Sequence, residues 1–196
     1  MNRAATAFAP AAHRVIRAVV GVLWLWAAML AGPARADGSI ELTTFDVSRS
    51  DGLVLVDFVA KPVLSKAVED AMQRGVPVYF VAQAALYRSR WYWRDERVAR
   101  VTRTWRLSYQ PLTSNWRLGF GTLSQSYATA EEALDMAARA SRWKLAETDQ
   151  LEPGEKYYVE FSYRLDNNQL PRPMQLDLAA QADWQLSAER KVKLEP

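Results

Sequence analysis

Thiol chemistry is missing from this chain, because its 196 residues include no cysteine. No disulfide, thiolate nucleophile, iron–sulfur cluster or thiolate-ligated zinc can be built from it. Imidazole is almost missing as well. The single histidine, His13, lies in a segment that reads as a leader rather than as part of a fold. Removal of residues 1–36 would leave no imidazole, which excludes Ser-His-Asp catalysis, histidine-ligated zinc or copper, and axial histidine haem ligation. None of the eight glycines belongs to a phosphate-cradling loop. No apolar run reaches the roughly 20 residues that a membrane-spanning helix needs. Carboxylate, lysine, tyrosine, hydroxyl and hard-cation chemistry remain, and no cofactor or metal is expected.

The first residues carry an address. Asn2 to Arg17 holds Arg3, Arg14 and Arg17 with no acid, and Ala18 to Ala31 is an uncharged, mostly apolar run of 14 residues. Gly32-Pro33 breaks that run, and Ala34-Arg35-Ala36 supplies a small-x-small end. A positive start, a short apolar middle and a small-residue end make a secretory signal. Residues 1–36 are therefore expected to be a signal peptide and 37–196 a single exported domain, placed in the periplasm. A retained anchor is the alternative, and the short run argues against it. The whole chain has 25 bases against 22 acids and a pI near 9.2. Without Arg3, Arg14, Arg17 and Arg35, 21 bases face the 22 acids, a net charge of −1. The basicity thus belongs to the leader and gives no reason to expect a nucleic-acid partner. With the signal cleaved, the protein is not expected to be an integral membrane protein.

The body reads as mainly β. Ile40 to Ser48 and Leu53 to Ala60 are two strands around the turn Ser50-Asp51-Gly52. Leu53-Val54-Leu55-Val56 is apolar on both faces, as in a central strand, and Lys61-Pro62 is expected to end it. Ser65 to Arg74 predicts a short helix, capped by Ser65 and closed by Gly75. Val76 to Tyr87 returns to strand. Arg97 to Tyr109 fits both periods, but Val101, Thr102, Thr104 and Trp105 favour strand. Pro111 to Asn115 turns the chain into a strand over Trp116 to Phe120. Thr129 and Glu132 form a capping-box pair in front of a helix predicted over Ala130 to Arg142. Tyr157, Val159, Phe161, Tyr163 and Leu165 alternate with polar residues in the best-patterned strand, Glu155 to Asp166. Asn167 to Pro173 reads as loop or edge, and Met174 to Ala180 and Trp184 to Lys193 supply one or two last strands. The expected fold is an antiparallel, immunoglobulin-like β-sandwich of about eight strands with two short helices.

One block stands out chemically. Tyr87-Arg88-Ser89-Arg90-Trp91-Tyr92-Trp93-Arg94 opens a stretch, Arg88 to Arg117, with eight arginines against Asp95 and Glu96. That is a local charge of +6 in a body of net −1, interleaved with Trp91, Trp93, Trp105 and Trp116. Arginine forks bind carboxylate and phosphate, and aromatic faces stack on sugars or guanidinium. Arg88, Arg90, Trp91, Trp93 and Arg94 are therefore the candidate binding residues. The opposing view is that the tryptophans are core and the arginine stems merely lie over them. Burying a tryptophan is worth about 3–5 kcal/mol against alanine, enough to account for one without a ligand. No catalytic residue is proposed. Ser141-Arg142-Trp143-Lys144 has a Ser-x-x-Lys spacing, but the serine falls at a helix end and no Lys-Thr-Gly accompanies it. Asp57, Asp95, Glu96, Asp166, Asp177 and Asp183 are scattered, and a glycosidase would need two carboxylates about 5–10 Å apart. Asp57 lies in an apolar strand and is expected to meet solvent or an arginine. Asp166-Asn167-Asn168 reads as a turn rather than a calcium loop.

Several segments resemble a proteobacterial domain-of-unknown-function family, DUF 4390. They are Gly75-Val76-Pro77-Val78-Tyr79-Phe80, Tyr87 to Trp93, Leu107-Ser108-Tyr109 with Leu112-Thr113, and Leu170-Pro171-Arg172-Pro173 with Asp183-Trp184. The resemblance covers nearly all of residues 37–196, and the Arg-Trp-Tyr-Trp block is its most specific part. It implies a small exported protein, often encoded near a membrane sensor kinase. It implies no activity and transfers no catalytic residue. The first functional expectation is a non-catalytic periplasmic binding or interaction domain, linked to envelope sensing, with an envelope protein or an anionic ligand as partner. The alternatives are a carboxylate-dependent hydrolase of envelope glycan and a binder of anionic lipid or glycan through the Arg/Trp block.

Overall fold

Alternating apolar residues build two antiparallel sheets in the computed structural model, which describes residues 38–92, 94–170 and 181–195. The leader expected over residues 1–36, Trp93, and the strand expected over Met174 to Ala180 with Asp177 lie outside the described residues. Strand β1 (Ser39–Ser50) pairs with β2 (Leu53–Val63) across a two-residue turn. Asp51 and Gly52 both have positive φ, 55° and 74°, the conformation that matches the twist of a tight hairpin. Helix α1 (Lys66–Gln73) follows, and its Ser65 cap accepts the Val68 N–H at 3.3 Å. The Ser65 hydroxyl donates to the Asp183 carbonyl at 2.9 Å, tying the helix to the turn that buries Trp184.

Next come β3 (Val78–Arg88), β4 (Glu96–Gln110), β5 (Asn115–Phe120) and β6 (Leu123–Tyr127), a meander of four antiparallel strands. Helix α2 (Ala130–Ala137) leads into β7 (Arg139–Glu147), then β8 (Tyr157–Leu165) and β9 (Ser187–Leu194). Among the described residues one sheet is ordered β1-β2-β7 and the other β6-β5-β4-β3-β8-β9. The sheets stack over aromatic rings. Phe58 of β2 lies 4.8 Å from Phe161, 5.8 Å from Tyr163, and 6.4 Å from both Trp105 and Trp143. The antiparallel sandwich is as expected. Its order combines hairpins and a meander with the long-range pairings β2–β7 and β3–β8, and nothing in it singles out the four-on-three immunoglobulin arrangement.

Three local expectations need correction. β2 does not stop at Lys61-Pro62 but runs to Val63, with Pro62 opposite Ile40. Ala60 donates its N–H to Ala138 at 2.8 Å, on the β7 side. The backbone nitrogen two residues on points to that same side, past the last β2–β7 pair at Val59 and Arg139, so proline's missing donor costs nothing there. The second helix does not reach Arg142. It ends at Ala137, and Arg139–Glu147 becomes the strand that gives the two-faced apolar β2 its second neighbour. Arg142, at φ 47°, forms a bulge in that strand, and Asp57 Oδ1 accepts its backbone N–H at 2.9 Å. Asp57, half-exposed, thus meets both solvent and an arginine, through the backbone of Arg142 rather than its guanidinium, and the Ser-x-x-Lys spacing falls in a strand. Last, β6 is a strand that the polar run Ser124-Gln125-Ser126 did not announce.

Candidate functional site

The functional candidates gather at one end of the sandwich, where four segments meet. Thr148 donates its N–H to Gly52 at 2.9 Å, and Ser89 donates to Lys156 at 2.8 Å. Arg88 sits opposite Tyr157, which in turn sits opposite Leu194. The β1–β2 turn, the β3–β4 loop, the β7–β8 connection and the end of β9 therefore share this end. A groove of about 1060 Å³ opens among them, with Arg49, Asp95, Glu152, Tyr158, Lys191 and Lys193 on its walls.

The β3–β4 loop, 89–95, is clamped at its base by charge. Arg88 pairs through one nitrogen with Glu96 at 2.5 Å and through the other with Glu152 at 2.5 Å. The hydrogen bonds it donates, to Glu152 first and then to Glu96, hold its guanidinium well above the usual arginine pKa. Arg90 also pairs with Glu96, and its backbone N–H donates to Asp95 Oδ1 at 3.0 Å. The Tyr158 hydroxyl donates to Asp95 Oδ2 at 2.7 Å. That bond, the Arg90 N–H and nearby Lys191 keep the Asp95 carboxyl below its ordinary value. Burial, and then the same carboxylate, push the Tyr158 phenol upward. The Tyr158 ring stacks on Tyr87 at 5.3 Å, and Lys191 Nζ stands 3.7 Å from its centroid.

Beyond this clamp the loop presents bare aromatic surface. Trp91 is 94% exposed and Tyr92 68% exposed, packed edge to face at 5.3 Å. Trp105 is core, as are Trp143 and Trp184, and Trp116 is half-buried. The aromatic residues of the basic block thus divide between core and tip. Of the five candidate residues, Arg88 and Arg90 are neutralised by Glu96 and Glu152. Trp91 forms the tip, Arg94 is exposed beside it, and Trp93 lies outside the described residues. Arg97, at the start of β4, is a further exposed cation.

Among the described residues the carboxylates that shift do so in one direction. Asp51, Asp95, Glu147 and Asp166 are all held below their ordinary values, whereas a glycosidic general acid needs an upward shift. Among the described residues no three carboxylate or imidazole groups are close enough to hold a metal ion, and no helix is long and apolar enough to cross a membrane.

Residues 37–193 match the family described as "Domain of unknown function (DUF4390)". The chain belongs to that family. No curated protein and no solved structure matches it. The DUF4390 region begins two residues before β1 and ends one residue short of the end of β9, so it takes in both sheets, the clamp and the tip. Within the DUF4390 domain, sequence reasoning missed Glu152, Tyr158 and Lys191 as partners of the loop. They come from β8, β9 and the β7–β8 connection, and only the β3–β8–β9 order brings them beside Arg88 and Asp95.

Proposed function

We propose that this DUF4390 protein is a non-catalytic binding domain, exported to the periplasm, that engages an envelope partner through the aromatic tip of its β3–β4 loop. One observation carries the proposal. A tryptophan that is 94% exposed sits on a loop whose base is fixed by two arginines, Glu96, Glu152 and the Asp95–Tyr158 bond. Exposing such a ring to water forgoes about 3 kcal/mol of burial. An exposed aromatic on a loop that also carries an exposed arginine has the composition of an interface hot spot. The clamp lowers the entropy lost on binding, because the base of the loop is already tied down. The export half rests on the leader pattern of residues 1–36. The hydrolase reading has less support, because Asp95 and Glu152 are engaged in holding the loop and Asp95 shifts downward.

The test is a photo-crosslinking amino acid placed at Tyr92 in the chain expressed in its own cells, with Leu112, still more exposed and just past the other end of β4, as control. A discrete adduct at position 92 that Trp91→Ala removes, and that position 112 does not give, is the expected result. No adduct at 92, or the same adducts at both positions, would overturn the tip as a binding element. Mass spectrometry of the envelope fraction should find a chain beginning at Asp37; an intact Met1 in the cytosol would end the export half.

A further inference from the structure

β4 is 15 residues long, yet β5 covers only its second half. The β4–β5 ladder begins with Trp105 opposite Phe120 and runs to Gln110 opposite Asn115. From Glu96 to Thr104 the strand has β3 on one side and no strand on the other, among the described residues. β5 stops there because Gly121, at φ 57°, turns the chain back, and Phe120 pairs with Leu123. An open edge of this length presents alternating N–H and C=O groups to any extended chain.

The side chains around the edge say what would fit. Arg97 lies opposite Tyr87 and Arg100 opposite Ala85, and both of those β3 residues border a groove on the face turned away from the second sheet. Arg103 faces the other way, with its guanidinium 4.9 Å from the Trp143 ring and 5.8 Å from Phe120. None of Arg94, Arg97, Arg100 and Arg103 has a carboxylate partner among the described residues. On the inward side Ala99 and Val101 are only half-buried, and at the foot of the edge Phe120 is 42% and Leu123 74% exposed. The edge is thus cationic outside, and inside it is apolar apart from Arg103 over the Trp143 ring.

We propose that Glu96–Thr104 of β4 takes up an extended acidic segment of another protein as a further strand of the six-stranded sheet. Its acidic side chains would alternate outward to Arg97 and Arg100, and its apolar ones inward onto Ala99, Val101 and Phe120. Opposite charges facing each other across a strand pair stabilise it and like charges destabilise it. A second copy of this chain, which would set arginine against arginine, is therefore the wrong occupant. The proposal stands on the strand edge and not on the tip, so the two can fail separately.

Charged side chains also protect edges against pairing, and peptide binding separates the two roles. The probes are two fluorescein-labelled nine-residue peptides added to the full chain, one alternating glutamate with valine and one alternating lysine with valine. Fluorescence anisotropy should show binding of the glutamate peptide only, and hydrogen exchange should slow at amides of residues 97–104. The double variant Arg97→Glu, Arg100→Glu, with its circular dichroism unchanged, should weaken binding by about tenfold or more. Methylating alternate peptide nitrogens should abolish it. Trp91→Ala with Tyr92→Ala should leave it intact. Binding of neither peptide at millimolar concentration, equal binding of both, indifference to the charge reversal, or protection at another edge would each overturn the proposal.

Discussion

Phe58→Ala should be the most damaging single truncation in the sandwich. Phe58 is 1% exposed and its ring touches residues of both sheets, with Phe161 at 4.8 Å, Tyr163 at 5.8 Å, and Trp105 and Trp143 at 6.4 Å. The lost ring removes about 100 Å² of buried apolar surface, worth about 2.5 kcal/mol at 25 cal/mol per Å². The hole left behind adds a cavity cost, about 2 kcal/mol if roughly 80 Å³ stays empty at 24 cal/mol per Å³. The sum, about 4–5 kcal/mol, is at the top of the range for phenylalanine truncation. It is a large share of the roughly 5–15 kcal/mol that holds a domain folded. Phe58→Leu keeps most of the volume and should cost about 1.5 kcal/mol. Urea unfolding followed by circular dichroism and tryptophan fluorescence measures both variants, and Trp105 and Trp143 report on the site directly. A Phe58→Ala cost under about 1 kcal/mol would mean that the sheets do not close over this ring, and the stacking described above would be wrong.

Three further outcomes test other parts of the fold. Tyr163 is fully buried, and its hydroxyl has no hydrogen-bond partner among the described residues. Tyr163→Phe should therefore be neutral or stabilise by about 1 kcal/mol in urea unfolding, and a loss beyond 1 kcal/mol would show that the hydroxyl is satisfied. A Cβ at Gly38 would stand 2.7 Å from the Ser65 nitrogen and 3.0 Å from the Val63 carbonyl oxygen, both backbone atoms. Gly38→Ala should thus cost about 1–3 kcal/mol by overpacking against the cap of α1, and an unchanged melting temperature would contradict that contact. Asp95 has a carboxyl lowered below 3.8 in the fold, first by the Tyr158 hydroxyl bond. A depressed acid contributes its full stabilisation above the unfolded pKa and loses it as pH falls through the lower folded value. The Arg90 amide should be protected from exchange at pH 5–7 and lose protection below about pH 4, and Asp95→Asn should flatten that dependence.

How much of this was legible in the sequence depends on where the constraint lies. Hairpin β1–β2 was readable because Asp51-Gly52 dictates its own turn and the flanking strands need no other information. β8 was readable because five inward residues alternate without interruption, and all five are buried. The error at Ala138 to Arg142 has a physical cause. Ala138, Arg139, Ala140 and Arg142 are good helix formers, and local propensity carries the Ala130 helix onward. Yet β2 is apolar on both faces, and a strand of that kind needs a neighbour on each edge. β1 fills only one of its edges. The neighbour on the other edge is the segment that propensity alone reads as helix, and its Trp143 and Leu145 alternate inward after the bulge at Arg142. Tertiary demand overrode propensity there, and the unpaired edge of β2 was the available sign.

The site was half legible for the same reason. A block of arginines and aromatics can be seen in one sequence, but its fate is set by residues far away in the chain. Trp105 and Trp91 look alike as letters. One faces Phe58 across the sandwich, and the other lies past the end of β3, where no second sheet covers it. Arg88 and Arg90 look like free forks until Glu152 is brought in from the β7–β8 connection. The charge count over Arg88 to Arg117 therefore overstates the cation available at the tip and, by averaging, hides where it is available. That place is the run from Arg94 to Arg103 along an edge that β5 is too short to cover. Charge segregation along the sequence becomes a functional statement only after acid partners and strand neighbours have been assigned. Here that assignment moves the cationic surface from the loop, where it was first sought, to the strand below it.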